Sequence, residues 1–388
     1  MVDFFEFQMG TRVLYKPGLV DDIGNEVEGL GSKRAFIVAD AGVAQAGLLD
    51  HVRGGLERAV EVVGVFTDVP SDSEVATVEQ VAAQARDAGA DLLVAIGGGS
   101  PIDTAKAVRI LLTEGGDLRD YEGANLLTRP LTPMIAIPTT AGTGSEVTWA
   151  AVIHDQQTGI KLHFISPVLA PTLAVLDPEM TRSLPPRLTA ATGIDALSHA
   201  IEAFVGKGNN PITDSLALQA IDMISNNLRA ATHSGDDMEA RGQMLVASCI
   251  AGIAFSSGIY GANVGIVHAM AHMVGAHSHV HHGTAIAILL PHGMRFNSSV
   301  VPNRYSRIAR SMGVNAGGRP EMEVIEDGVA AVAALVAECG LPTRLRDVGV
   351  SEDDIPALAE ATTVEGAIFT NPRSVSAEEA AEVLQAAW

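Results

Sequence analysis

The chain has 388 residues, of which 47% are hydrophobic, 18% charged and 4% aromatic. Because one hydrophobic core stops growing at roughly 250–300 residues, this length predicts two domains. Acidic residues outnumber basic residues by 46 to 25, and the resulting formal charge of −21 repels phosphate backbones and anionic lipids. We therefore expect neither a nucleic-acid partner nor a membrane partner.

Cysteine usage and the N-terminal sequence bear on the compartment. Cys249 and Cys339 are too few for a disulfide framework or a thiolate metal cage, which predicts a reducing, cytoplasmic location. The N-terminus carries acidic residues where a signal peptide needs positive charge, so we expect no secretion signal. The long, nearly uncharged stretch 244–276 is interrupted by Ser, Gly and His, which predicts two buried helices joined by a turn rather than a membrane span.

Short apolar runs rich in β-branched residues alternate with helical segments in the first half of the chain. The runs lie at 34–40, 61–66, 91–100, 133–140 and 173–178. Such alternation predicts a parallel sheet with helices on both faces and with ligands at the carboxyl ends of the strands.

A glycine-rich segment, GGGSPIDTAK at 97–106, follows the third of these strands. The glycines allow a close backbone approach, while Ser100, Pro101 and Asp103 fit the N-cap, N1 and N3 positions of a helix. A helix N-terminus behind bare backbone can bind a phosphate group. Since the segment is not G-x-G-x-x-G, a tight strand-to-helix turn closed by a capping box is the alternative.

A second loop, PTTAGTGSE at 138–146, follows the next strand and offers the hydroxyl groups of Thr139, Thr140, Thr143 and Ser145. With the glycine-rich segment it predicts two walls of a pyrophosphate and ribose pocket, although an ordinary polar turn is also possible.

Asp40 ends the strand at 34–40. An acidic side chain there can accept a hydrogen bond from the 2′-hydroxyl of an adenosine ribose and repel a 2′-phosphate, which favours NAD over NADP. A helix cap is the alternative role.

From about Pro185 onwards the strand patterns vanish, and the chain reads as successive helices punctuated by Gly and Pro. The second domain is therefore predicted to be all-α, with the boundary near residues 184–186.

Two pairs of polar residues in this half have helical spacing. GIDALSHAIEAF places Asp195 and His199 four residues apart, and HAMAH repeats the spacing with His268 and His272. One carboxylate and several imidazoles inside apolar helices predict a divalent metal site, whereas each pair alone is also compatible with capping or packing. The segment 267–283 holds six of the twelve histidines, and spacing leaves open which of the six bind.

These motifs resemble the iron-containing (group III) alcohol dehydrogenases of the dehydroquinate synthase-like superfamily. The similarity runs along the chain through GGGSPIDTAK, PTTAGTGSE, ATGIDALSHAIEAF, VHAMAH, HHGTAIAILLP and the NPR at 371–373. It implies an α/β N-terminal Rossmann-like parallel-sheet domain, residues 1–184, that binds the dinucleotide. It also implies an all-α C-terminal domain, residues 185–388, that binds the metal and carries the catalytic residue.

The resemblance also implies individual roles. The metal ligands would be Asp195, His199, His268 and His282, the last being the histidine directly before the glycine of the H-G pair. His272 would lie beside the nicotinamide and the substrate and relay the proton.

The histidines at 277 and 279 are then expected on the loop between the ligand-bearing segments. The cofactor would be lined by Asp40, Gly97, Gly98, Gly99, Ser100, Pro101, Asp103, Thr139, Thr140, Thr143, Val152 and Lys161.

The chain departs from the family pattern in several places. The segment 256–267 is longer than in the family, His281 replaces the usual Pro before the H-G pair, Ile286 replaces an Asn, and His154 stands where a small hydroxyl residue is typical. None of these changes removes a ligand, so they bear on the substrate rather than on metal binding.

The implied activity is a metal-dependent alcohol dehydrogenase or aldehyde reductase. It would move a hydride between a nicotinamide and a small primary alcohol, diol or hydroxy acid, with NAD favoured over NADP and one divalent metal, Fe²⁺ before Zn²⁺. A homodimer or larger homo-oligomer is expected by analogy. Two alternatives remain: a metal-independent or phosphate-eliminating relative on the same fold, and a non-redox metal-binding protein that predicts several metals per chain.

Overall fold

A computed structural model describes residues 4–258 and 263–388. The chain divides into two compact units. One unit, the α/β unit, spans Gln8–Leu184; the other, the helical unit, joins Pro185–Trp388 with the first described residues, 4–7.

The α/β unit alternates strands and helices in its first part. Its strands are β1 (Arg12–Tyr15), β2 (Arg34–Ala39), β3 (Glu61–Phe66), β4 (Leu92–Gly97), β5 (Gly123–Ala124), β6 (Met134–Pro138), β7 (Ala150–Asp155), β8 (Ile160–Ile165) and β9 (Leu173–Leu176). Its α-helices are α1 (Gly24–Leu30), α2 (Ala41–Gln45), α3 (Leu48–Leu56), α4 (Val75–Asp87) and α5 (Gly99–Thr113).

Six strands form one parallel sheet in the order β1-β9-β6-β4-β2-β3, which confirms the predicted parallel sheet. Strands β4 and β6 are buried along their whole length, as expected of Leu-, Val- and Ile-rich runs covered on both faces. The register pairs Ala39 with Ile96 and Gly97 with Pro138, so the carboxyl ends of β2, β4 and β6 lie side by side.

Strands β7 and β8 form an antiparallel hairpin that the sequence patterns did not predict, and β5 adds to β8. Alternate residues of β7 are buried, so the strand lacks the continuous apolar run that marks the central strands. The pairing sets Val152 opposite His163 and His154 opposite Lys161.

The helical unit contains no strand among its described residues, as predicted. Its α-helices are α6 (Pro186–Val205), α7 (Pro211–His233), α8 (Met238–Ser256), α9 (Ile266–Ser278), α10 (His282–Ser298), α11 (Pro302–Ser311), α12 (Glu321–Glu338), α13 (Ile355–Thr362) and α14 (Ala377–Ala387). Helices α8 and α9 are the two buried helices predicted within 244–276. Over the part of the chain that is described, every helix falls short of the length and apolarity that a membrane crossing needs.

Helix α6 is buried along nearly all of its length and is packed by α7, α8 and α10. Two glycines allow the close contacts. A Cβ on Gly193 would lie 2.3 Å from Leu228 Cδ1 on α7, and a Cβ on Gly283 would lie 2.5 Å from the Ala191 carbonyl oxygen on α6. The first turn of α10, which begins at His282, is therefore pressed against α6.

Candidate active site

The glycine-rich segment makes a sharp turn between β4 and α5. Gly97 has φ of 149°, and a Cβ there would lie 2.6 Å from Pro101 Cγ, so the turn requires glycine. Helix α5 begins at Gly99 with Gly98 as its N-cap, and the cap has no side-chain hydrogen bond. The predicted capping box from Ser100 to Asp103 is therefore wrong: the Gly97 turn starts the helix earlier, and Ser100 Oγ donates instead to the Ser71 carbonyl oxygen.

The two predicted loops lie against each other. The Thr139 amide donates to the Gly97 carbonyl oxygen at 3.0 Å. A Cβ on Gly98 would lie 3.4 Å from Thr140 Oγ1, and a Cβ on Gly99 would lie 3.1 Å from Thr143 Cγ2. Bare glycine backbone and threonine side chains thus share one edge of the sheet.

Asp40 serves as a helix cap at the same edge. Its Oδ1 accepts from the Val43 amide at 2.9 Å and caps α2. Its Oδ2 faces Gly97, at 3.1 Å from the place where a Cβ on that glycine would stand. The capping role therefore leaves one carboxylate oxygen beside the glycine-rich turn.

Asp103 connects α5 to the segments that follow β6. It accepts from Ser145 Oγ and, at 3.0 Å, from the Val152 amide of β7. Lys161 on β8 pairs with Asp72 at 2.8 Å, and Asp72 follows Ser71, the partner of Ser100. Val152 is thus bound directly to α5 through Asp103, whereas Lys161 is connected to Ser100 through Asp72 and its neighbour Ser71.

A buried lysine and a buried carboxyl lie behind these loops. Lys106 is fully buried, and its Nζ donates to Ser145 Oγ at 2.9 Å, Thr148 Oγ1 at 2.9 Å and the Ala150 carbonyl oxygen at 2.7 Å. Burial lowers the pKa of Lys106 to about 8, although Asp103 and Glu146 act in the opposite direction. Burial raises the pKa of Glu146 to about 7.

Three predicted metal ligands converge in the helical unit. Asp195 Oδ1 lies 3.4 Å from His282 Nε2 and 3.7 Å from His268 Nε2, and one ligand atom from each residue lies within 4.8 Å of the others. Asp195 Oδ1 and His268 Nε2 are buried, and neither has a hydrogen-bond partner among the described residues. Two orphaned polar atoms aimed at the same point fit a bound cation.

The carboxylates and imidazoles of this cluster shift one another's protonation. Burial alone would raise the pKa of Asp195, but His199, His282 and His268 hold it well below its ordinary value. Burial alone would lower the pKa of His268, but the carboxylates of Glu202 and Asp195 raise it to about 10. The buried carboxylates and imidazoles of this cluster therefore stabilise each other's charged forms.

His199 lies next to the three converging residues rather than among them. Its ring stacks on Phe255, with centroids 4.4 Å apart, and on His268, with centroids 4.6 Å apart. Its place one turn after Asp195 on α6 agrees with the predicted spacing.

His272 lies one turn after His268 on α9. Its Nδ1 is 2.9 Å from Glu365 Oε1, and its ring stacks on that of His282 with centroids 5.3 Å apart. Burial lowers the pKa of His272 below its ordinary value, while the hydrogen bond to Glu365 acts in the opposite direction.

The other histidines of the tract have separate surroundings. His277 lies in the last turn of α9, not on a loop, and pairs with Asp354 at 3.3 Å. His279 caps the C-terminus of α9 in the left-handed conformation, with φ of 55°. His281 precedes α10 and lines a cavity with Arg187 and others, whereas His282 approaches Asp195. Four residues of the longer segment, 259–262, lie outside the described residues.

Two carboxylates at the site were not singled out from the sequence. Glu202 on α6 contacts His268 Nδ1, and Glu365 contacts His272 Nδ1. Glu202 follows Asp195 by seven residues on a buried helix, so helical periodicity could have placed both on one face. Glu365 is 93 residues from its partner, and no local pattern indicates the contact.

Comparison with known proteins gives a consistent result for both units. The family described as "Iron-containing alcohol dehydrogenase" matches residues 10–178, and "Fe-containing alcohol dehydrogenase family, C-terminal" matches residues 189–388. The chain is 39% identical over 386 residues to a 1,3-propanediol dehydrogenase of Citrobacter freundii, covering 99% of each chain. It is 36% identical over 368 residues to an NAD-dependent methanol dehydrogenase of Bacillus methanolicus, covering 95% of this chain and 96% of that one.

Among solved structures, a 1,3-propanediol oxidoreductase superposes with a TM-score of 0.96 at 38% identity, covering 99% of this chain and 100% of the other. The fold and these relatives define an oxidoreductase that acts on CH–OH groups. The chain belongs to the iron-containing alcohol dehydrogenase family. Membership implies a nicotinamide nucleotide and a divalent metal as cofactors.

Proposed function

We propose that the protein is an NAD-dependent, metal-dependent alcohol dehydrogenase that interconverts small primary alcohols or diols and their aldehydes. The observation that carries this proposal is the convergence of Asp195, His268 and His282 within 4.8 Å, in a helical unit where two of their polar atoms are orphaned. A family member that had lost metal dependence would not need to bury these atoms together.

The proposed metal ligands are Asp195, His268 and His282, with His199 as the fourth. One carboxylate and three imidazoles without a thiolate suit Fe²⁺ first and Zn²⁺ second. When bound, the metal supplies Lewis-acid polarisation of the alcohol or carbonyl oxygen, and the nicotinamide accepts or supplies the hydride. Water has little access to the ligand atoms of Asp195 and His268, since each residue is 3% exposed.

The proposed dinucleotide site is the edge of the sheet formed by the glycine-rich turn and the threonine loop. Gly97, Gly98 and Gly99, followed by Ser100 and Pro101, offer backbone at the start of the 15-residue helix α5, which favours a pyrophosphate. The hydroxyl groups of Thr140 and Thr143 lie beside Gly98 and Gly99, and the Thr139 amide is bound to the Gly97 carbonyl oxygen.

The nucleotide preference and the last three cofactor positions complete this proposed site. Asp40 beside Gly97 supports NAD rather than NADP, because a carboxylate repels a 2′-phosphate. The Asp103 carboxylate accepts a hydrogen bond from the backbone amide of Val152. Lys161 forms an ion pair with Asp72, near the start of α5.

His272 is the proposed proton relay. A carboxylate only accepts hydrogen bonds, so Glu365 fixes the proton of a neutral His272 on Nδ1 and leaves Nε2 as the acceptor. His272 can therefore take the hydroxyl proton during alcohol oxidation and return it during aldehyde reduction.

The substrate, location and assembly are also part of the proposal. The two relatives are named for 1,3-propanediol and methanol, which supports short alcohols and terminal diols for this chain. The two cysteines are free and buried, which supports a reducing cytoplasm. A homodimer or larger homo-oligomer is expected and can be measured by light scattering.

The decisive experiment is a panel of short aldehydes assayed with NADH and with NADPH after reconstitution with Fe²⁺ or Zn²⁺. The proposal expects NADH oxidation that needs about one metal per chain. Several metals per chain with no nucleotide binding, read by NADH fluorescence, would instead identify a metal-storage protein, and full activity in a chelator would identify a metal-independent reductase.

A further inference from the structure

Glu202 binds two successive residues of α9 with its two carboxylate oxygens. Oε1 accepts from the Val267 amide at 2.9 Å, and Oε2 contacts His268 Nδ1. Glu202 is 3% exposed, so water does not compete for these bonds. The side chain comes from α6, the helix that also carries Asp195 and His199.

This contact determines which nitrogen of His268 is available. Because a carboxylate accepts and does not donate, the His268 proton stands on Nδ1. In the neutral ring, the lone pair is then on Nε2, the atom that faces Asp195 Oδ1 at 3.7 Å and has no hydrogen-bond partner in the described chain.

The chain leaves room for this carboxylate at the start of α9. A Cβ on Gly265 would stand 3.0 Å from Glu202 Oε1 and 2.8 Å from Asn371 Oδ1. Gly265 supplies no side-chain cap to α9, so Glu202 and Asn371 satisfy the first amides of the helix, those of Val267 and Ile266. Glu202 therefore fixes the position of His268 as well as its tautomer.

We propose that Glu202 is a positioning residue of the metal site, which holds His268 with Nε2 free for the metal. The proposal rests on the proposed function, because it assumes that His268 is a ligand. Partners of this kind, which hold the second nitrogen of a ligating histidine, contribute about 10–100-fold to metal affinity or activity.

The variant Glu202→Gln separates this role from simple helix capping. The Gln side chain still accepts from the Val267 amide through its oxygen, but its NH₂ group then faces His268 Nδ1. A donor at this place favours the tautomer with the proton on Nε2, which cannot bind a metal through Nε2. We expect the dissociation constant for Co²⁺, measured by chelator competition, to rise by about 10–100-fold. The Co²⁺ absorption bands should change with it.

The matched control is Glu365→Gln. It makes the same substitution in the other carboxylate–histidine pair of α9, but His272 is not a proposed ligand. Its Co²⁺ affinity should stay within about twofold of the unsubstituted chain. This corresponds to about 0.4 kcal/mol of binding free energy, since a tenfold change in Kd corresponds to about 1.4 kcal/mol. Thermal unfolding of both metal-free variants by circular dichroism establishes that each is folded.

A measurement on the unsubstituted chain tests the same point without a variant. In ¹⁵N-histidine spectra of the Zn²⁺-loaded protein, the His268 resonances should report a protonated Nδ1 and a ligating Nε2. Coordination through Nδ1, or Glu202→Gln binding Co²⁺ as tightly as the unsubstituted chain, would overturn the positioning role. If the unsubstituted chain bound no Co²⁺ or Zn²⁺ at all, the proposed function itself would fail.

Discussion

Asn297 and Asn371 exchange two hydrogen bonds between their side-chain amides, at 2.8 and 3.0 Å. Both are buried, and Asn371 Oδ1 also accepts from the Ile266 amide at 3.2 Å. Asn297 lies on α10 and Ile266 begins α9, so one amide of the NPR segment connects the helices that carry His282 and His268.

Replacing Asn371 with Leu should lower the free energy of unfolding of the helical unit by about 2–4 kcal/mol, because it leaves buried polar partners unsatisfied. Urea denaturation measures the loss. Asn297→Leu should cost a similar amount, and the double variant should cost less than the sum, since both changes remove the same pair. Strictly additive losses would show that the amides do not act together.

His282 and His281 can be distinguished by metal content. His282 Nε2 lies 3.4 Å from Asp195 Oδ1, whereas His281 lines a cavity with Arg187 and Thr284. We expect His282→Ala to lose the bound metal and His281→Ala to retain about one metal per chain, as measured by plasma mass spectrometry after dialysis. The reverse result would show that His281, and not His282, is the metal ligand.

Replacing His272 with Ala should lower kcat by about 100-fold or more, because the proton acceptor is removed, while metal content stays unchanged. Glu365→Gln should lower kcat by a smaller factor, since it removes only the group that holds His272 Nδ1. Steady-state kinetics alongside metal analysis checks both. Loss of metal from His272→Ala would make His272 a ligand and remove its proposed role.

The buried carboxyl of Glu146 should make the stability of the α/β unit depend on pH. Burial raises its pKa from 4.5 to about 7, so between these values the folded state keeps a proton that the unfolded chain releases. Stability should therefore fall as pH rises through this window and then level off with respect to this group.

Glu146→Gln should remove this dependence, a change on the order of 3 kcal/mol between about pH 4.5 and about pH 7. Thermal unfolding at a series of pH values measures it, and the series ends where Lys106, with its pKa of about 8, begins to titrate. Glu28→Gln, at an exposed position on α1, is the control and should leave the pH profile as it is.

Replacing Asp40 with Asn should relax the preference for NADH over NADPH by about tenfold, because it removes a negative charge that repels the 2′-phosphate. The Asn oxygen can still accept from the Val43 amide, so the cap of α2 is retained. The ratio of kcat/KM for the two nucleotides measures the change. The control is Asp50→Asn, which removes the same negative charge at an exposed position on α3. It should leave this ratio unaltered.

The central strands could be predicted from the sequence because burial on both faces gives continuous apolar runs. Strands β2, β4, β6 and β9 fall within the predicted runs, and so does the edge strand β3, although it is only partly buried. The hairpin of β7 and β8 was not predicted, because half-buried strands mix apolar and polar residues. Strand β5 was not predicted either, because its two residues are too few to form a pattern. The start of α5 was misplaced because a glycine turn, not a side-chain cap, determines it.

The candidate site was only partly visible in the sequence. Asp195 and His199 follow from their spacing on α6, but spacing alone would have paired His268 with His272 as ligands. The contacts of Glu202 and Glu365 join residues 66 and 93 positions apart, which no local periodicity reports. Choosing His282 required the family pattern, and the structure places this residue beside Asp195.

The anchoring of α9 at Gly265 also bears on the longer segment that precedes it. Asn371 and Glu202 bind the amides of Ile266 and Val267. The rotation of α9 about its own axis is therefore fixed at its first residues. We expect residues inserted before Gly265 to leave His268 and His272 facing their partners Glu202 and Glu365. Insertions after Gly265 would rotate both histidines together, by about 100° per residue. The length of the chain before Gly265 can therefore change without altering the orientation of His268 towards Asp195.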